Sequence, residues 1–270
     1  MIKIENAEIV GWEAAIRGMR NPMNSWEKSD SFECVYNNPI FDSCEKCVFR
    51  TGEEPNDICI RGDMSFVIGP NDHKLMMKLR NAGTDHRKFM RMIVVYLDIT
   101  APLYWWKEFD TYKVGTVANS CSTMHKIHEK EFTLEDFSCE DLMTETVGLN
   151  NFTEGTCSYD ILKATIDLLN YYRRCYIEDG RSKDDWRQLI QLLPSSYNQK
   201  RTVMLNYEVL ANMYKSRRNH KLDEWRDFCD WINELPYSEL ITGQSLGDLP
   251  ICNETMEEAK KRVTNEGENK

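Results

Sequence analysis

Apolar and polar residues alternate from Ile2 to Val10, which predicts a half-buried strand, and a short helix from Trp12 to Met19 follows until Asn21-Pro22 breaks it. From about Asn24 to Gly69 the periodicity lapses, and this stretch reads as an irregular insertion. Leu75, Met76 and Leu79 then share one face of a predicted helix from Asp72 to Asn81, with Asn71 as its N-cap and Gly83 near its stop. Met92 to Ile99, MIVVYLDI, is a continuous β-branched run of the kind expected of a strand covered on both faces, and Ala101-Pro102 ends it. An aromatic helix start, Tyr104-Trp105-Trp106, leads into a predicted loop of small hydroxyl and amide residues that extends to His125. Apolar positions at Ile161, Leu162, Ile166, Leu169, Tyr172 and Tyr176 define a long helix from Ser158 to Glu178. A second amphipathic helix runs from Asp184 to Leu193. Thr202 to Leu205 reads as a strand entering a helix from Asn206 to about Ser216, and a last helix spans Trp225 to Leu235. Mixed helices and strands of this kind predict an α/β (α+β) chain: one domain over 1–245, interrupted at about 24–69, and a charged, flexible tail over 246–270.

Composition narrows the class. With 270 residues, 41% of them hydrophobic, and 7 Trp, 12 Tyr and 10 Phe, the chain can bury a sizeable core. No apolar run approaches the ~20 residues of a membrane span, and the first residues lack the pattern of a secretory signal, so a cytoplasmic location is expected. A net charge of -10 opposes phosphate backbones and argues against direct DNA binding. Against that background, Lys200, Arg201, Lys215, Arg217, Arg218 and Lys221 form a basic island with Glu208 as its single acid, which suits a small anionic ligand. The chain has 10 cysteines, which a reducing cytosol would keep as thiols. Cys34, Cys44, Cys47 and Cys59 cluster in the insertion, and Cys44-Glu-Lys-Cys47 has the spacing of half a zinc knuckle; a structural zinc and four free thiols are both compatible with it.

Glu108 with Thr111-Tyr112-Lys113 and the loop to His125, and Leu193-Pro194 with Asn206, Asn212, Arg217 or Arg218 and Trp225, are two segments that resemble the flavin-dependent thymidylate synthase (ThyX) family. In the first, Ala82-Gly83, an apolar strand, Ala101-Pro102 and a helix lead to the loop through His125. Where the family has Gln-x-x-Arg-His-Arg, this chain has Glu108 followed by Thr111-Tyr112-Lys113; further on it has Ala118-Asn119-Ser120-Cys121-Ser122-Thr123. In the second, Leu193-Pro194 is followed by Asn206, Asn212, Arg217 or Arg218, and Trp225, nearly at the family's spacing.

The resemblance implies a thymidylate-synthase-like fold with a central, mostly antiparallel sheet flanked by long helices, assembled as a homotetramer. It implies FAD as cofactor, methylenetetrahydrofolate and NADPH as co-substrates, and one-carbon transfer to dUMP or a related pyrimidine deoxynucleotide by reduced flavin. The protein's part would be placement and charge stabilisation around cofactor chemistry. The alternative is a noncatalytic nucleotide-binding or assembly protein that keeps the fold. Carried over by position, Cys121 and Ser122 compete for the place beside the reacting pyrimidine carbon. Glu108, Lys200 or Arg201, and Arg217 or Arg218 would bind substrate; Tyr112, Lys113, Asn119, Asn206 and Asn212 would bind flavin. Asn206 can equally serve as a helix N-cap. Glu108 in place of Gln exchanges a donor for an acceptor, which would favour cytosine over uracil.

Overall fold

The computed structural model describes residues 2–33, 66–149 and 152–243. Its chain forms two compact units, one built from 1–9, 95–205 and 217–229, the other from 10–94, 206–216 and 230–270. The cysteine cluster and the charged tail lie outside the described residues.

In the first unit a four-stranded sheet has the order β1-β4-β8-β5, with β1 at Lys3–Val10, β4 at Val94–Pro102, β5 at Val117–Ser120 and β8 at Asn198–Asn206. Strand β5 runs antiparallel to β8, in a register from Val117 opposite Met204 to Ser120 opposite Arg201. On β4, Val95, Leu97, Ile99 and Ala101 are buried while Tyr96 is exposed and Asp98 half-buried. The apolar run is therefore covered on one face, not both; Tyr96 and Asp98 fall on the second face because strand side chains alternate. The segment expected to be loop contains β5, which is held by backbone pairing that leaves Val117 and Asn119 exposed and so carries little hydrophobic signal.

Helix α3 (Leu103–Phe109) starts where Pro102 ends β4. Its first free amides are satisfied by the preceding turn of another segment: Leu103 N donates to Tyr197 O and Tyr104 N to Ser195 O, both at 3.0 Å. Trp105, Trp106 and Phe109 face inward, and Trp105 and Phe109 meet Trp225 and Phe228, with Trp105 4.7 Å from Trp225 between ring centroids. A second core gathers Ile127, Phe132, Phe137, Leu162, Ile166, Leu169 and Leu189. It rests on α4 (Ser158–Glu178), whose limits match the sequence expectation, and on α5 (Lys183–Leu192).

In the second unit, α1 (Trp12–Arg20) and α2 (Pro70–Asn81) are tied by a fully buried ion pair, Arg20 Nε to Asp72 Oδ1 at 2.6 Å. The second Asp72 oxygen accepts from the Ser29 and Ser31 hydroxyls and from the Asp30 and Ser31 amides. Asn71 is not the cap of α2. Gly69 holds that place, and the Asp30 carboxylate accepts the Asn71 and Asp72 amides from outside the helix. A Cβ on Gly69 would stand 2.3 Å from Asp30 Cγ, so this clasp requires the bare backbone. Two short strands, β2 (Phe32–Glu33) and β3 (Phe66–Val67), pair antiparallel. Trp12, Tyr207 and Tyr237 pack edge to face, with Tyr207 opening α6 (Tyr207–Arg217). Helix α7 runs from Asp223 to Glu234, two residues earlier than its apolar pattern suggested because acidic Asp223 and Glu224 supply its first turn.

Candidate functional site

Because α3 buries its aromatic side, Glu108 is carried to the rim of the first unit. There its Oε2 accepts from Arg217 Nη1 at 2.5 Å and from the Trp225 indole N–H at 3.0 Å, with His220 Nε2 at 3.3 Å. Arg217 Nε donates to the Tyr112 hydroxyl at 3.0 Å, and the guanidinium lies 4.8 Å from the Trp225 ring centroid and 5.6 Å from that of Tyr112. His220 Nδ1 accepts the Leu222 amide. His220 Nε2 lies 3.1 Å from Arg217 Nη1, within hydrogen-bond distance, and beside Glu108. Three expected site residues, Glu108, Tyr112 and Arg217, are thus brought together, and the fold adds His220 and the Trp225 indole to them.

Arg201 forms a second cluster in the same unit. Its guanidinium lies flat on Trp106, 4.2 Å from the ring centroid, and donates to Asp110 at 2.7 Å and to Gln199 at 3.0 Å. Gln199 in turn donates to the Cys121 carbonyl at 2.7 Å. The adjacent Lys200 points to the opposite, open face of the sheet, because successive strand residues alternate. It pairs with Asp98 at 3.1 Å and stands 3.8 Å from Glu5. Hydrogen bonds from Thr202, Asn6 and Lys200 pull the Asp98 carboxyl down to about 2. Asn119, opposite Thr202, shares that face, so Lys200 and Arg201 cannot serve one ligand-binding point.

Cys121 and Ser122 follow β5 directly and are exposed. Cys121 N donates to Lys200 O, while the Ser122 hydroxyl accepts the Met124 and His125 amides at 3.2 and 2.8 Å and so closes the turn. Lys113 and Arg218 are exposed and have no ion pair among the described residues. In the second unit, Asn206 Oδ1 accepts the Val209 amide at 3.1 Å and caps α6, and Asn212 accepts from Arg87 at 3.0 Å. Arg87 and Arg91 also hold the buried Glu208. Neither His220 nor the pairing of Asp110 with Arg201 was visible in the sequence. A lone histidine in a basic stretch and an acid 91 positions from its arginine give no periodic signal.

The architecture and these clusters define a mixed helix and sheet protein with pre-paired cations at its rim. No protein-family model and no curated protein matches the sequence. Among solved structures, the flavin-dependent thymidylate synthase ThyX from Helicobacter pylori, complexed with FAD and dUMP, is similar at TM-score 0.57 and 14% identity over 89% of this chain and 98% of that one. A UMP/dUMP methylase, PolB from Streptomyces cacaoi, bound with 5-bromo-dUMP, is similar at TM-score 0.52 and 12% identity over 90% of this chain and 94% of that one. The chain has the fold of the flavin-dependent thymidylate synthases, as its two motif segments indicated, in a widely diverged sequence.

FAD would bring a diphosphate that needs unspent cations. In the first unit Arg217, Arg201 and Lys200 each already carry a carboxylate, which leaves Lys113 and Arg218 of the candidate set. Tyr112 stands where the family has a cationic or imidazole side chain and is spent on Arg217. Lys113 and Arg218 are therefore the candidate cations that would meet the FAD diphosphate. Among the described residues there is also no group of His, Cys, Asp and Glu able to hold a metal, and no helix is long and apolar enough to cross a membrane.

Proposed function

We propose that this protein binds a pyrimidine nucleotide on a thymidylate-synthase-like scaffold. The observation that supports this most is the convergence of Glu108, Tyr112, Arg217, His220 and Trp225 on one rim: a guanidinium flanked by two aromatic rings is a surface for a planar base. The similar solved proteins are described with dUMP, 5-bromo-dUMP or 5-bromo-UMP. Calorimetric titration with dUMP, dCMP and deoxyuridine tests the reading. Binding of either monophosphate is expected, and saturating nucleotide with no heat and no change in melting temperature rejects it. If Glu108 faces the base, dCMP binds more tightly than dUMP; since its Oε2 is already engaged by protein donors, equal binding of the two is the result that removes it from base selection.

The fuller reading is an enzyme that transfers a one-carbon unit from methylenetetrahydrofolate to the nucleotide with reduced FAD and NADPH. It draws support from the fold and from the placement of Cys121 and Ser122 on an exposed turn beside β8. The colour of the purified protein decides it: a colourless preparation that gains no flavin absorbance at saturating FAD excludes this chemistry. Assembly into a homotetramer is part of the same reading. Helix α4 supports it with an exposed seam, Ile161, Ala164, Leu168 and Tyr171, spaced by three and four residues on the side away from the core. A cytoplasmic location and a zinc at Cys34, Cys44, Cys47 and Cys59 remain proposals from the sequence.

A further inference from the structure

Two donors from separate parts of the first unit converge on the single atom Glu108 Oε2, the Arg217 guanidinium and the Trp225 indole N–H, with His220 Nε2 3.3 Å away. Neither donor can accept, since a guanidinium and an indole N–H only donate. They are also oriented independently of Glu108. Tyr112 receives Arg217 Nε, Trp225 is fully buried among Trp105 and Phe228, and the His220 carbonyl is held by Arg226. A pre-oriented set of donors at one point, one of them permanently cationic, is the chemistry of an anion site.

We infer that the position of Glu108 Oε2 is a built-in anion site whose resident occupant is the protein's own carboxylate. The ligand class it takes is a phosphomonoester or an inorganic phosphate, admitted only when Glu108 is displaced. With Glu108 in place its charge offsets that of Arg217, and an incoming phosphate meets a like charge at the arginine it would pair with. Glu108 is thereby a specificity-determining residue that disfavours phosphate-bearing ligands at Arg217. This deepens the nucleotide-binding reading and rests on it for the identity of the ligand, but not for the existence of the site.

Removing the carboxylate with Glu108→Ala exposes the donors. Sodium phosphate should then raise the melting temperature of the variant well beyond its effect on the wild type, whereas sodium chloride at matched ionic strength should not. In titrations the variant should gain about tenfold in affinity for dUMP, with deoxyuridine changed far less, because the gain belongs to the phosphate. If Glu108→Ala fails to fold, Glu108→Ser empties the same position, and the same phosphate-specific stabilisation is expected of it. A phosphate response equal to that of the wild type in every variant that folds overturns the site, whatever dUMP does to the wild type. A phosphate-responsive variant in which neither it nor the wild type binds dUMP sustains the site and removes the nucleotide reading instead.

Discussion

Arg20 and Asp72 illustrate how much can depend on one side chain. Asp72→Asn leaves a guanidinium buried without its counter-charge, and we expect a loss of about 3–5 kcal/mol in unfolding free energy by urea denaturation. Burial pushes the Asp72 carboxyl up, but hydrogen bonds from Ser31, Ser29, Arg20 and Asp30 outweigh it and hold the group below its ordinary value. A carboxylate depressed in the folded state stabilises above the unfolded value of about 3.9 and loses that contribution as pH falls through the folded value. Wild-type stability should therefore decline below about pH 4 more steeply than that of Asp72→Asn. A parallel decline in the two proteins would assign acid sensitivity elsewhere. Residue identities at the rim were legible by position: Glu108, Tyr112 and Arg217 all stand out in the sequence. Their pairing was not, because Glu108 and Arg217 lie 109 positions apart and only the fold brings them into contact.

At the scale of elements, the cap of α6 separates two roles for Asn206. Its Oδ1 accepts the Val209 amide, so Asn206→Ala should cost about 1 kcal/mol while Asn206→Ser, which keeps a capping oxygen, should be nearly neutral by thermal denaturation. If the amide nitrogen also serves a ligand, Asn206→Ser lowers nucleotide or flavin affinity without lowering stability; unchanged binding in that variant leaves the residue as a cap alone. Long helices were the most readable elements, since α4 buries one stripe and shows a 3.6-residue period. Strands were harder. The polar character of the second face of β4 rests on Tyr96 and Asp98, two positions inside an apolar run, and β5 owes its place to main-chain pairing with β8. Lys200 and Arg201 looked interchangeable in sequence until the strand assigned them opposite faces.

For the whole molecule, the seam on α4 carries the assembly prediction. Leu168→Glu places a charge in its middle, and light scattering coupled to size exclusion should then report a smaller species than the wild type, with the circular dichroism spectrum retained. A wild type that is already monomeric rejects the seam as a contact between copies. Two units, each assembled from three separated stretches, were not foreseeable from composition, because no linker marks where the chain passes from one to the other. The strands β2 and β3 have a different bearing on the architecture. Glu33 sits opposite Phe66, so the two points that flank residues 34–65 are neighbours in β2 and β3. An Asn-Gly turn in place of residues 34–65 could therefore join Glu33 to Phe66 as an ordinary two-residue hairpin. The shortened protein should melt cooperatively within a few degrees of the parent. Since Cys34, Cys44, Cys47 and Cys59 depart with the excised piece, comparing the metal content of the two proteins assigns any zinc to it directly.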